Sequence, residues 1–184
     1  MEKFKTEKNY PYRYGKKTYI RQTAMRNQLE WIKRQLEYAD FSEQFSLRYN
    51  LKRGEIYEFD WGVNVNAEFS DRHFGVVLVD SDESNPLVTV CPLKSNHKGI
   101  NPKSDVDLGY IPELGTANRT IAVVNQVRTI DKLRMYMIRA IGSRHGEQLA
   151  DSYDDTNRTI IRLTNDKLDS VLIGYKNYLA NLLL

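Results

Sequence analysis

Residues 52–95, KRGEIYEFDWGVNVNAEFSDRHFGVVLVDSDESNPLVTVCPLKS, alternate between short apolar runs and polar breaks. Ile56, Tyr57 and Phe59 form one run, opened by Arg53-Gly54, and residues 75–79 and 87–93 form two more that are rich in β-branched side chains. Runs of this length, bounded by Gly, Pro, Asn, Asp and Ser, predict strands. Asn85-Pro86 predicts the turn between the second and third. Between the first two lies a loop over residues 62–71 carrying Asn64, Asn66, Glu68 and Asp71, with too little apolar weight to be buried. Arg72 and His73 stand where that loop becomes strand. Loops held by rigid strands are the usual seat of chemistry, so this junction is the first candidate site.

Elsewhere the period changes. Over residues 23–39, Leu29, Ile32, Leu36 and Ala39 recur at helical spacing, while Glu30, Lys33, Arg34 and Glu37 fall on the other side. This predicts an amphipathic helix capped by Thr23, with three available uses for its apolar stripe: covering the β region, self-association or binding a partner. Residues 41–51 alternate and read as a short extended connector, which puts the boundary of the core near Asn50. Residues 120–127 predict a strong strand, residues 106–111 a short one, and residues 135–141 one more strand or a short helix and strand. Residues 145–157 read as polar loop. A terminal helix over residues 164–184 is expected, with Thr164 as cap, Asp166 at the positive end of the dipole, and Leu168, Leu172, Tyr175 and Leu179 on one side. Several short, mostly antiparallel strands with a closing helix make an α+β chain: a small, strongly bent β-barrel with a C-terminal and an extra N-terminal helix.

Composition adds limits. With 184 residues, 41% of them hydrophobic, the chain holds one core with an appendage: residues 1–50 as a basic N-terminal extension and residues 51–184 as the barrel domain. The net charge of +3 is mild, but Lys3, Lys5, Lys8, Arg13, Lys16, Lys17, Arg21 and Arg26 face only Glu2 and Glu7. Together with Tyr10, Tyr12, Tyr14 and Tyr19 they suit either RNA contact, by stacking and phosphate pairing, or a solvated tail. One cysteine excludes an internal disulfide, and Cys91, inside an apolar run, reads as a core residue. No apolar run approaches the roughly 20 residues of a membrane span, and no secretory signal is apparent, so a cytoplasmic protein is expected.

No metal-binding pattern is present. His73, His97 and His145 are scattered, and no CxxC, HExxH, Walker, Rossmann or serine-hydrolase pattern occurs. What remains is a set of polar groups near strand ends: Glu68, Asp71, Arg72, His73, Lys94, Ser95, His97, and later Asn125, Gln126 and Arg128.

These residues carry a resemblance. Arg53-Gly54-Glu55-Ile56-Tyr57, the polar loop ending in Arg72, GVVLV, VTVCPLKS and VVNQVRTIDK resemble the MazF/PemK toxins of type II toxin–antitoxin systems, over about residues 52–184. The most specific block is Asn125-Gln126-Val127-Arg128-Thr129-Ile130-Asp131, and the segment before Lys52 has no counterpart in short members. The resemblance implies an SH3-like or CcdB-like barrel that forms a homodimer and binds a cognate antitoxin. It also implies sequence-selective cleavage of single-stranded RNA, without cofactor or metal, to 2′,3′-cyclic phosphate and 5′-hydroxyl ends. Arg72 then stabilises the phosphate. Ser95 supplies a hydroxyl, and Glu68 is the candidate base or base-reading group. His73 is a rival base, since an imidazole titrates near neutrality. Lys94, His97, Lys98, Gln126, Arg128 and Phe69 are candidates for RNA binding. Adjacent strand residues point to opposite faces, which favours Arg72 over His73 in one site. Three departures stand out: His73 follows the arginine where the family usually has proline, Lys94 stands near its threonine or serine, and Asn125 replaces its glutamate. A catalytically silent barrel that binds protein, as in the related gyrase-poisoning toxins, is the alternative.

Overall fold

The computed structural model describes residues 14–44, 49–64, 68–96, 99–137, 147–148 and 160–181. Helix α1, Tyr14–Gln44, is followed by β1 (Glu55–Asp60), β2 (Arg72–Val77), β3 (Leu87–Ser95), β4 (Asp105–Gly109), β5 (Thr120–Val123), β6 (Arg128–Asp131), β7 (Met135–Met137), β8 (Glu147–Gln148), β9 (Ile161–Arg162) and helix α2 (Asn165–Asn181). The strands pair antiparallel in the order β4-β5-β3-β2-β1-β7-β8, with β6 added to β3 and β9 to β1. The expected class, antiparallel β with one helix at each end, is borne out.

Two strands act as hubs. β3 pairs β6 through Leu87–Val90 and β5 through Leu93–Ser95, so one edge serves two partners. Pro92 has no N–H to give and falls in the gap between them, where a proline does not interrupt a ladder. The strand expected over residues 120–127 ends instead at Val123, in a 3₁₀ turn, Val124–Gln126, and β6 begins beyond it at Arg128. β1 is likewise shared, by β7 through Glu58 and Phe59 and by β9 through Glu55 and Ile56.

A core lies on each face of the sheet. Ile56, Val76, Cys91, Leu93, Ala122 and Val124 pack beneath α2, which contributes Leu168, Val171, Leu172, Tyr175 and Tyr178. Leu179, expected on that side, is exposed. α2 comes so close to β4 that a Cβ at Gly174 would lie 2.4 Å from Val106 Cγ2. Tyr57, Phe59, Trp61, Val77, Val88, Val90 and Ile130 form the other core. Cys91 is wholly buried, which pushes its thiol up to about 12, and Trp61 is buried.

The N-terminal part differs from its sequence reading in two ways. α1 runs on to Gln44, into the segment expected to be extended. Its apolar stripe, Met25, Leu29, Ile32 and Leu36, faces solvent. It docks instead through Trp31, Arg34 and Tyr38, spaced to share one helical face. Arg34 Nε lies 3.1 Å from Asp60, Tyr38 donates to Asp60 at 3.0 Å, and the Arg134 guanidinium covers Trp31 at 5.0 Å. A Cβ at Gly62, where φ is 82°, would meet the Trp31 ring at 2.7 Å. Of the C-terminal expectations, β7 matches the start of 135–141, and β8 replaces part of the expected loop. Residues 138–146 lie outside the described residues.

Candidate active site

β1 is buried at all six positions yet carries Glu55, Glu58 and Asp60. A buried carboxylate is tolerated only when paired, and each of these is. Glu55 accepts from Tyr57 Oη at 2.8 Å, from Lys52 N at 2.8 Å and from Arg162 at 2.7 Å. Asp60 accepts from Gly62 N and Tyr38 Oη, both at 3.0 Å. Glu58 accepts from Arg72 Nη2 at 2.6 Å.

The last pair follows from register. Asp60 lies opposite Arg72 and Glu58 opposite Phe74, so Arg72 reaches Glu58 diagonally on one face of the β1–β2 ladder. Tyr136 lies opposite Glu58 on the other side, and the Arg72 guanidinium sits 3.8 Å above its ring. The neck of the preceding loop sets where β2 begins: Trp61 N donates to Asp71 O at 2.9 Å and Asp71 N to Gly62 O at 2.7 Å. Asp71 itself has φ 61°, a left-handed conformation that Asp accepts more readily than most residues.

A cavity of about 610 Å³ opens here, lined by Glu58, Arg72, Phe74, Lys94, Ser95 and Thr120 among others. Lys94 and Ser95 end β3, and Ser95 pairs with Thr120 across to β5. Lys94 Nζ is held 2.7 Å from the buried carboxylate of Asp105. The cavity therefore gathers a guanidinium, an ammonium, the hydroxyls of Ser95, Thr116 and Thr120 and a carboxylate around one volume. Such a donor set can hold a phosphate diester and move a proton.

Three of the expected site residues, Arg72, Lys94 and Ser95, share this cavity. His73 also borders it, but its imidazole lies edge-on to Phe69 at 5.1 Å, on the far side of the strand from Arg72. Burial is the main reason its pKa falls below the ordinary value, with Asp71 and Glu58 opposing. Glu68 is exposed on the loop and does not line the cavity. Phe69 packs against Trp61 at 5.8 Å. Gln126 and Arg128 stand in a 3₁₀ turn and at the start of β6 rather than along one strand, yet both grip the loop. Gln126 Oε1 accepts from Phe69 N at 2.7 Å. Arg128 donates to Trp61 O at 3.0 Å and to Phe69 O at 3.4 Å, its guanidinium 4.7 Å above the Trp61 ring. His97 and Lys98 lie outside the described residues. Sequence reasoning missed Glu58 and Tyr136. The one available signal was a glutamate inside a run otherwise fit for a core strand.

Among the described residues, no three His, Cys, Asp or Glu side chains are grouped to hold a metal ion. No helix among them is long and apolar enough to cross a membrane.

The cavity, with its guanidinium, ammonium and hydroxyls, sits at the mouth of the first hairpin of an antiparallel sheet. The family model described as PemK-like, MazF-like toxin of type II toxin-antitoxin system matches residues 52–163, and the chain belongs to that family. The N-terminal extension, α1 included, lies outside the match. Among solved structures the chain is similar to MazF (Form-I) from Deinococcus radiodurans, at 19% identity and TM-score 0.46, covering 72% of this chain and 98% of that one. It is also similar to two MazE-MazF structures from the same organism. Form-II has 18% identity and TM-score 0.40, covering 71% of this chain and 96% of that one. Form-III has 18% identity and TM-score 0.42, covering 72% and 98%. No curated protein matches in sequence.

Proposed function

We propose that the chain is a ribonuclease toxin that cleaves single-stranded RNA by in-line attack of the substrate's own 2′-hydroxyl. The observation that carries this is the Arg72–Glu58 pair at the wall of a cavity shared with Lys94, Ser95 and Thr120. Arg72 binds the scissile phosphate and stabilises the charge that develops on its oxygens. Glu58 is the carboxylate within reach of that phosphate and accepts the 2′-hydroxyl proton, the role first sought at Glu68. Ser95 donates to a phosphate oxygen, and Lys94 adds charge at the leaving-group side. The P–O5′ bond breaks as the P–O2′ bond forms, and the 5′-oxygen takes a proton from water, leaving a 2′,3′-cyclic phosphate and a 5′-hydroxyl. Glu68, exposed on the loop that precedes Arg72, reads a flanking unpaired base.

In this reading the protein works in the cytoplasm as a homodimer, and an antitoxin neutralises it by covering the cationic cavity. The test is incubation with a long single-stranded RNA in EDTA, beside Arg72→Ala. Cleavage by the wild type alone, with cyclic phosphate ends, supports the reading. Intact RNA across several diverse sequences overturns it and turns attention to a protein-binding barrel.

A further inference from the structure

The Arg72 guanidinium is restrained in two directions. Glu58 holds one amino group at 2.6 Å, and the Tyr136 ring lies under the guanidinium carbon at 3.8 Å. Tyr136 is in turn tied to α1, its hydroxyl 3.2 Å from that of Tyr38. Tyr38 spends its proton on Asp60 Oδ2 at 3.0 Å, so in this pair Tyr136 donates and Tyr38 accepts. The chain of donors ends on a carboxylate that is wholly buried. Each bond polarises the next, and a phenol that donates to a polarised acceptor presents a more electron-rich ring to a cation. Asp60 is further held by Gly62 N at 3.0 Å, Arg34 lies beside it at 3.1 Å, and Arg134 Nε donates to its carbonyl at 2.7 Å.

We propose that Tyr136 and Tyr38 are positioning residues for Arg72, and that α1 is thereby a limb of the site rather than an appendage. The ring of Tyr136 fixes the tilt of the guanidinium, and the Tyr38–Asp60 bond fixes the ring. Tyr38 comes from outside the matched domain of residues 52–163, so this support is supplied by the extension. The proposal rests on reading the cavity as the site of phosphate cleavage, and its test separates the two.

The experiment compares full-length wild type with Tyr136→Leu, Tyr136→Phe, Tyr38→Phe and the double phenylalanine variant. Each is assayed on one single-stranded RNA, with folding checked by circular dichroism. Tyr136→Leu removes the aromatic face and is expected to lower kcat about tenfold with KM within about twofold. Tyr136→Phe keeps the face and is expected to lose at most about threefold. Tyr38→Phe removes that same bond and also its own donation to Asp60, so it should lose at least as much as Tyr136→Phe, and the double variant no more than Tyr38→Phe alone. A second readout needs no activity. Nitrogen NMR of the Arg72 guanidinium should show restricted rotation about Nε–Cζ in the wild type and averaging in Tyr136→Leu. Equal losses for Tyr136→Leu and Tyr136→Phe, or unchanged Arg72 rotation in Tyr136→Leu, would overturn the proposal. Wild-type protein that leaves RNA intact yet shows the NMR difference would remove the ribonuclease reading and keep the positioning.

Discussion

Arg72 and His73 are neighbours in the chain and open onto two different regions. On the Arg72 side a guanidinium, an aromatic ring, a carboxylate and the end of β3 surround an open cavity. On the His73 side a guanidinium, three aromatic rings and an amide fill the space beneath the loop. The ingredients are similar, but their employment is not. Arg128 gives its hydrogen bonds to the carbonyls of Trp61 and Phe69, so it closes a loop. Arg72 is paired with a side-chain carboxylate at the cavity wall, so its charge faces a volume that a substrate can enter. What separates a structural arginine from a candidate catalytic one is whether its partners are fixed backbone acceptors or a second reactive group beside open space.

The largest expected effect tests that division. Arg72→Ala should lower RNA cleavage about a thousandfold, corresponding to about 4 kcal/mol of transition-state stabilisation, read as initial rate on a defined RNA. Trp61→Ala, on the other side, should cost about 3 kcal/mol of stability by opening a cavity in the second core, read by urea unfolding. Arg128→Ala should cost about 2 kcal/mol by removing two hydrogen bonds to the Trp61 and Phe69 carbonyls, which are left with Asn64 Nδ2 as donor. At a temperature where the variant stays folded it should keep its kcat, and a loss of kcat like that of Arg72→Ala would erase the contrast. The smallest effect is a pH slope. The folded chain holds the His73 pKa below the ordinary 6.5, mainly through burial. The unfolded chain then binds the proton more readily, so stability should fall as pH drops through 6.5 and level off once both states are protonated. His73→Gln should flatten that slope in thermal unfolding, and an unchanged slope would place the titration elsewhere.

Much of the frame was legible before any coordinates. The apolar runs of residues 52–95 set out β1, β2 and β3, and a motif block around Arg128 with the family's spacing marked the later strands. Arg72 was readable because a lone arginine at a loop–strand junction matched that spacing, and Ser95 and Lys94 because they close a strand run. Lys132 shows the limit of such reading. It is wholly buried, donating to Tyr49 O at 2.9 Å and Asp82 O at 2.6 Å, although its sequence context is that of a surface turn.

The amino-acid order by itself determined most of the elements, because periodicity and turn chemistry are local properties of the chain, but not the run of α1 to Gln44 or the break after Val123. Only the tertiary structure decided which face each element uses and which charges meet. The α1 stripe of Leu29, Ile32 and Leu36 is amphipathic by any local measure, yet the helix docks by Trp31, Arg34 and Tyr38. Asp60, buried by its place in β1, needs partners that the opposite face carries. Glu58 and Tyr136 join Arg72 for the same reason. Cross-strand register brings together residues far apart in sequence, and the cost of an unpaired buried charge selects the arrangement that pairs them.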